Sequence, residues 1–177
     1  MIDLTVAYIT GRKEPQFWWF ISSLRRQVAG KFDGIRIVVV DFWCQPLPWY
    51  GWTDQDVSAR KEAFKRFMPD VWFRHVPPKP TPWQGPHRKT KRDYFAPANS
   101  RNTAILHAGG THIAYVDDLS VLMPTWYGAV REACQNNRAT AGAFLKMKDM
   151  FVDKGLVRYY RDFAPGRDSR WKDGNDT

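Results

Sequence analysis

The chain has 177 residues, of which 44% are hydrophobic and 15% aromatic, which is enough apolar surface to bury a sizeable core. Its 27 Lys and Arg outnumber its 18 Asp and Glu, and the net charge of +9 favours phosphorylated or polyanionic partners such as nucleotides, nucleic acids and anionic lipids. We therefore predict a single globular domain over residues 1–177, and not a repeat array or a disordered chain.

The first half of the chain predicts alternating strands and helices. A β-rich apolar run over Leu4–Thr10 is followed by apolar residues at helical spacing over Phe17–Val28. Ile35–Asp41 is nearly continuous in β-branched residues, which is typical of a strand covered on both faces in a parallel sheet. The pattern then indicates a helix over Val57–Phe67 and a third strand over Val71–Val76.

The second half continues this alternation. It predicts a helix over Ala98–His107, a strand over His112–Val116, a helix from Pro124 to Gln135 and a strand over Ala139–Leu145. Proline suits the first turn of a helix because its missing N–H would have no partner there. Residues 150–177 show no clear period, and we interpret them as an irregular acceptor-side segment, either complete or truncated.

Repeated strand–helix units predict an α/β fold with a mostly parallel, Rossmann-like sheet flanked by helices. Such sheets bind ligands at the carboxyl ends of their strands. Polar residues that follow predicted strands are therefore candidates for one shared crevice: Thr10 with Gly11 and Arg12, then Asp41, then Asp117 with Asp118.

Asp41 has two plausible roles at its strand end. Its carboxylate can accept a hydrogen bond from a pyrimidine N–H or from ribose hydroxyls, or it can cap a turn or helix.

Asp117 and Asp118 form the more informative pair, because adjacent carboxylates repel unless a cation, hydrogen-bond donors or water compensate them. Mg²⁺ and Mn²⁺ prefer carboxylate and phosphate oxygens, so the pair can tether a metal that neutralises a diphosphate. Adjacent side chains of an extended chain point to opposite faces. We assign the metal first to Asp118 and place Asp117 near the ribose or outside the metal's ligands; the alternative is a solvated turn that caps the next helix.

Four segments resemble, in order and spacing, the family 2 glycosyltransferases of the GT-A fold: LTVAYIT, the helix containing FISSLRRQ, IRIVVVD, and ANSRNTAILHAGGTHIAYVDDLSVLMPTW. The last segment is the specific one. In it an Arg-Asn helix, a small-residue turn and a hydrophobic strand precede an acidic motif of the DXD type. The resemblance covers about Leu4 to Leu145.

The resemblance implies a GT-A fold and an enzyme of the hexosyltransferase type. Its donor would be a nucleotide-diphosphate sugar, with a UDP-sugar favoured, and its cofactor a divalent metal, Mn²⁺ or Mg²⁺. By position, Thr10 and Arg101 match residues near the nucleotide, Asp41 the acid that contacts the base, and Asp118 the metal ligand. The acidic motif reads Asp-Asp-Leu-Ser and lacks an acid at its third position.

The resemblance further implies an inverting transfer to an acceptor, in which a carboxylate deprotonates the acceptor hydroxyl. The catalytic base is unknown from the sequence. Among the late acids, Asp173 and Asp176 in the terminal WKDGNDT are the candidates to test. The acceptor, whether a glycan, a lipid or another molecule, is not specified.

Lys79–Arg92, with the sequence KPTPWQGPHRKTKR, concentrates much of the positive charge in a proline-interrupted segment that cannot form a regular helix. We predict a mobile basic loop over residues 79–92 that closes over the diphosphate, steers an acidic acceptor, or is simply solvated. Aromatic residues between Trp43 and Trp52 stack on a sugar, form a protein-docking surface or pack in the core. Two alternative functions follow: a nucleic-acid-binding module that uses this loop and the aromatics, or a catalytically inactive GT-A-like scaffold.

Other metal and membrane signals are absent from the sequence. The two cysteines, Cys44 and Cys134, have neither CxxC spacing nor a nearby histidine pattern, which argues against structural zinc and a disulfide scaffold. The four histidines show no spacing that makes a metal face, so we expect core or surface roles for them. No apolar run reaches the roughly 18 residues of a membrane span, and the N-terminus lacks a signal-peptide pattern. We therefore expect a soluble, cytoplasmic protein with no transmembrane segment.

Overall fold

A computed structural model describes residues 3–138, 147–153 and 156–161. The chain divides into two compact units, Met1–Asn137 and Arg138–Thr177. The first unit contains, in chain order, β1 (Leu4–Thr10), α1 (Phe17–Gln27), β2 (Ile35–Asp41), α2 (Asp54–Arg66), β3 (Trp72–Val76), α3 (Pro97–His107), β4 (His112–Asp117) and α4 (Trp126–Gln135).

The four strands of the first unit form one parallel sheet in the order β3–β2–β1–β4. The register aligns Thr10 with Asp41 across β1 and β2, and Ile9 with Asp117 across β1 and β4. The predicted α/β fold with a parallel, Rossmann-like sheet flanked by helices is confirmed. The register also brings the predicted strand-end residues to one edge of the sheet.

Helices cover both faces of the sheet, which explains why the two central strands lack a polar alternation. On one face, alternate residues of β1 and β2 such as Tyr8 and Ile37 pack with apolar residues of α1, α2 and α4. On the other face, Ala7 and Val38 pack with Ala104 of α3. All seven residues of β1 are buried. The core therefore lies in two layers, one on each side of β1 and β2.

Two helix boundaries differ from the predicted ones. α2 begins three residues before Val57, because Thr53 and Asp56 form a reciprocal capping box that satisfies the first backbone N–H groups. α4 begins at Trp126, so the prediction that Pro124 opens this helix is wrong. Pro124 precedes the N-cap residue, Thr125, where its fixed backbone angle does not require a helix.

The second unit contains an antiparallel pair, β5 (Met147–Asp153) and β6 (Leu156–Arg161), with a register shift between Lys148 and Phe151. The sequence predicted no regular element beyond Met150, and the pair corrects that expectation. The predicted strand over Ala139–Leu145 lies outside the described residues, as do Asp173 and Asp176. The single-domain organisation stays a prediction. Within the described residues, no helix combines the length and the apolar character needed to cross a membrane.

Candidate functional site

The strand order has a switch point between β1 and β4, where the direction of the chain across the sheet reverses. The chain moves from β1 to β2 and β3 on one side and then returns to place β4 on the other side of β1. At such a switch point the loops that follow two neighbouring strands diverge and leave a crevice at their carboxyl ends. Here the two ends are Thr10 of β1 and Asp117 of β4. The predicted site residues Gly11, Arg12 and Asp118 follow these two positions directly.

Asp118 is held from several sides by protein donors. One carboxylate oxygen, Oδ1, accepts hydrogen bonds from the Tyr8 hydroxyl, from the Gln16 backbone N–H at 3.1 Å and from the Leu119 backbone N–H at 2.8 Å. The other, Oδ2, accepts from the Thr10 hydroxyl at 2.9 Å and lies 3.4 Å from the Arg12 Nε. These contacts use the roughly four lone-pair positions of a carboxylate. Asp118 thus ties β4 to β1 and to the start of α1.

Tyr8 is a donor in this arrangement and stays protonated. Burial and the hydrogen bond to Asp118 raise the pKa of its hydroxyl far above the ordinary value. The side chain of Asp118 is only 10% exposed. The pair therefore forms a fixed internal contact rather than an open ligand site.

Asp117 points to the other face of the sheet. Both of its carboxylate oxygens accept hydrogen bonds from the Arg101 guanidinium of α3 at 2.8 Å, and the side chain is 40% exposed. The structure thus places the two acids on opposite faces, with Asp117 the more accessible.

The different surroundings of Asp117 and Asp118 bear on metal binding. Within residues 3–138 the structure contains no group of three His, Cys, Asp or Glu side chains suited to hold a metal ion. Mg²⁺ and Mn²⁺ can instead bind through one carboxylate together with phosphate oxygens and water. Protein donors from β1, α1 and the backbone contact both oxygens of Asp118. Asp117 accepts only from Arg101 and is the more exposed of the two acids. The assignment of the metal to Asp118 stays a prediction.

Asp41 is completely buried, with 0% of its surface exposed. Arg60 of α2 donates to both carboxylate oxygens, His75 donates from Nε2 at 2.9 Å, and the Trp43 backbone N–H donates at 3.0 Å. Burial by itself would raise the pKa of this carboxyl, but the hydrogen bonds from His75 and Arg60 and the Arg60 charge hold it below its usual value. A nucleotide base would have to displace these donors to reach Asp41.

The same Arg60 guanidinium fixes the loop between β1 and α1. It donates to the backbone carbonyls of Lys13 at 2.6 Å and Arg12 at 2.9 Å, while the Trp43 indole N–H donates to the Gly11 carbonyl at 3.1 Å. Three consecutive carbonyls of the loop are therefore held by side chains. Asp41 contributes to the site indirectly, because it is the counter-ion that orients Arg60.

Gly11 is required by a close contact. A Cβ atom at this position would lie 2.6 Å from Cγ and Cδ1 of the Phe95 ring. We expect Gly11→Ala to lower the free energy of unfolding by about 1–3 kcal/mol, because the ring or the loop must shift. Gly128→Ala is the matched control, since no heavy atom lies within 4 Å of its Cβ position in α4. In urea denaturation, we expect the free energy of unfolding of the control to rise by about 0.5–1 kcal/mol. Equal losses in both variants would contradict the contact between Gly11 and Phe95.

The aromatic residues between Trp43 and Trp52 divide into two groups. Trp43 is 8% exposed, and its ring lies 5.1 Å from that of Trp52 and 5.4 Å from that of Tyr50. The Lys13 ammonium lies 5.4 Å from the Trp52 ring centre. Packing therefore accounts for Trp43, whereas Trp49 is 62% exposed and is free to contact a ligand.

Arg60, His75, Tyr8 and Gln16 contribute to the site but were not predicted as site residues. Arg60 had a detectable signal, because it lies between Val57 and Phe64 on the buried stripe of α2, where a cation needs a buried partner. His75, expected in a core or surface role, has a side chain that is 3% exposed and a ring that lies 4.6 Å from the ring of Phe64. Gln16 contributes its backbone N–H to Asp118, and no side-chain pattern reveals such a contact.

Neither a protein-family model nor a curated protein matches the sequence. Among solved structures, S. aureus TarS 1–349 superposes with a TM-score of 0.50 at 16% identity, covering 76% of this chain and 33% of that one. A second S. aureus TarS structure gives a TM-score of 0.49 at 18% identity, covering 86% of this chain and 23% of that one. TarS is a glycosyltransferase.

The chain has an α/β, Rossmann-like fold similar to that of TarS 1–349. At this identity the likeness concerns the fold alone. The chain spans about a third of the length of TarS 1–349.

Proposed function

We propose that this chain binds a nucleotide-diphosphate sugar at the switch point between β1 and β4 and transfers the sugar to an acceptor. The observation that carries the proposal is the position of Thr10 and Arg12 at the carboxyl end of β1, beside the carboxyl end of β4, where Asp117 pairs with Arg101. The fold shared with TarS supports it. The carboxyl ends of parallel strands at a switch point are where open α/β sheets bind their ligands.

The charges at the edge suit a diphosphate. Arg12 is 56% exposed and Arg101 is 41% exposed, so both guanidinium groups keep surface for phosphate oxygens beyond their carboxylate partners. The Arg12 backbone N–H donates to Thr10 at 3.2 Å, which fixes the start of the loop. Two cations held in place beside the leaving group stabilise the negative charge that develops there.

The proposed reaction is an inverting substitution at the anomeric carbon. The acceptor hydroxyl oxygen forms a bond to that carbon while the bond from the carbon to the diphosphate oxygen breaks. The electron pair of the broken bond leaves with the diphosphate, and a carboxylate base takes the hydroxyl proton. A bound Mn²⁺ or Mg²⁺ would add positive charge at the diphosphate, and Asp117 is the residue that would hold it.

The proposed reaction also needs a catalytic base and a sugar acceptor. Asp173 and Asp176 stay the candidates for the base, outside the described residues. We retain a UDP-sugar as the donor to test first.

Donor binding tests the proposal directly. Thermal unfolding is followed with UDP-, GDP-, dTDP- and CMP-sugars, with and without Mn²⁺, and we expect one nucleotide to raise the Tm because it binds only the folded chain. Arg12→Gln should weaken the affinity for that nucleotide about three- to tenfold, because a charge-assisted contact to phosphate is lost. Arg66→Gln, an exposed cation at the far end of α2, should leave the affinity unchanged.

Two results would count against the proposal. One is a Tm that no nucleotide sugar changes, with or without metal. The other is an equal loss of affinity in Arg12→Gln and Arg66→Gln, which would mean that overall charge, and not the switch point, attracts the nucleotide.

A further inference from the structure

The basic loop, residues 79–92, leaves the sheet after β3 at the same edge as the proposed donor site. It has no acidic residue, and its five cations are all exposed: Lys79, Arg88, Lys89, Lys91 and Arg92. Within residues 3–138, the only carboxylate that forms an ion pair with any of them is Asp93, whose Oδ2 lies 3.6 Å from Arg88 Nη1. Four cations of the loop therefore have no acidic partner in this part of the chain.

The loop is held by its own hydrogen bonds. The Lys89 N–H donates to the Pro82 carbonyl at 2.8 Å, and the Tyr94 N–H donates to the Trp83 carbonyl at 2.9 Å. The buried Asp93 carboxylate accepts from the Gly85 N–H at 2.6 Å. The cations without an acidic partner are thus presented on a turn that has its own hydrogen bonds. The predicted mobility of the loop stays a prediction.

Both ends of the loop are attached to the first unit. At the start, the Lys79 N–H donates to the Thr103 hydroxyl at 2.9 Å, and the Asn99 amide donates to the Lys79 carbonyl at 2.8 Å. At the other end, the Phe95 ring lies directly beside Gly11, in the loop that follows β1. The positive surface is therefore fixed next to the proposed donor site.

Aromatic side chains lie among the cations. Trp83 is 57% exposed and Tyr94 is 45% exposed, and the Arg92 guanidinium lies 5.0 Å from the Tyr94 ring centre. Exposed rings suit the apolar face of a sugar, while the ammonium and guanidinium groups suit phosphate or carboxylate oxygens. Together they match a ligand that alternates sugar-like and anionic groups.

We infer that the basic loop binds the acceptor, and that this acceptor is a chain carrying repeated phosphate or carboxylate groups. The inference rests on the proposed function, since it assigns the second substrate of that reaction. In the proposed donor site, Arg12 and Arg101 would already lie beside a single donor diphosphate. Four further unpaired cations exceed what that diphosphate needs, and they match an extended polyanion.

The test uses two variants of equal charge. The loop variant combines Lys89→Gln, Lys91→Gln and Arg92→Gln; the control combines Lys31→Gln, Lys65→Gln and Arg66→Gln, which are exposed and lie away from the carboxyl edge of the sheet. Binding of inorganic polyphosphate is measured by calorimetry at several salt concentrations, with and without saturating UDP. We expect the loop variant to bind about tenfold more weakly, with a shallower salt dependence, and the control to stay within about twofold of the parent.

Three outcomes would overturn the inference. Equal weakening in both variants would show that overall charge attracts the polyanion. Displacement of polyphosphate by UDP would show that the loop serves the donor diphosphate. Tighter, loop-dependent binding of single-stranded RNA than of polyphosphate would identify a nucleic-acid surface. In contrast, a parent chain that binds polyphosphate through the loop but binds no nucleotide would overturn the proposed function and leave the polyanion site in place.

Discussion

Replacing Arg60 with alanine is expected to lower the free energy of unfolding by about 3–5 kcal/mol. The loss is large because Asp41 is 0% exposed and would be left as a buried charge without its main counter-ion. The change also removes both donors to the Arg12 and Lys13 carbonyls. We therefore expect weaker nucleotide binding together with the lower stability.

Urea denaturation of the parent and of Arg60→Ala measures this effect. Arg66→Ala on the same helix is the control, and it should change stability by less than about 0.5 kcal/mol because Arg66 is exposed. Arg60→Lys, which keeps the charge but not the forked geometry, should fold and recover only part of the loss. A double variant, Asp41→Leu with Arg60→Met, should be more stable than Arg60→Ala, since neither charge then stays buried alone.

One outcome would contradict the role of Arg60 as the counter-ion of Asp41. If Arg60→Ala loses no more stability than Arg66→Ala, then Asp41 does not depend on Arg60 in the folded chain. In that case Asp41 would again be open to a direct role at the base.

Asp117→Asn and Asp118→Asn are expected to lower the free energy of unfolding by different amounts. Asp118→Asn should lower the free energy of unfolding by about 2–3 kcal/mol, because the amide nitrogen cannot accept hydrogen bonds that the carboxylate accepts from Tyr8, Thr10 or Gln16. Asp117→Asn should cost less than about 1 kcal/mol, since its ion pair with Arg101 is exposed.

Ligand binding should show the reverse order. We expect Asp117→Asn to remove the Mn²⁺ dependence of UDP binding, with an affinity in Mn²⁺ at least about tenfold below that of the parent. Asp118→Asn, measured under conditions where it is folded, should keep a response to Mn²⁺. Calorimetric titration of UDP with and without Mn²⁺ measures both. Retention of the metal response in Asp117→Asn together with its loss in Asp118→Asn would support the assignment of the metal to Asp118.

The strands were predictable because their patterns are local. Leu4–Thr10 and Ile35–Asp41 have the predicted bounds, since continuous β-branched and apolar residues are typical of strands covered on both faces. Helix starts were less predictable, because α2 begins with the polar residues of a capping box that add nothing to an apolar period. Pro124 misled the prediction for the opposite reason: it suits a first helical turn but does not require one.

The position of the candidate site at one edge of the sheet was predictable, but the hydrogen-bond partners of its carboxylates were not. Parallel strand ends meet at one edge, so Thr10, Arg12 and Asp117 could be grouped from the sequence. The roles of the carboxylates depend on which donors the fold brings to each one. Asp118 meets groups from β1 and α1, and Asp41 meets Arg60 across the sheet face, and neither neighbourhood has a sequence period.

β1 is synthesised before both of the strands that pair with it. Its partner on one side, β2, ends at Asp41, but its partner on the other side, β4, is complete only at Asp117. Until β4 pairs with it, β1 has an open edge whose backbone N–H and C=O groups can pair with another chain. A chain that stops before β4 therefore lacks the strand that protects its centre from aggregation.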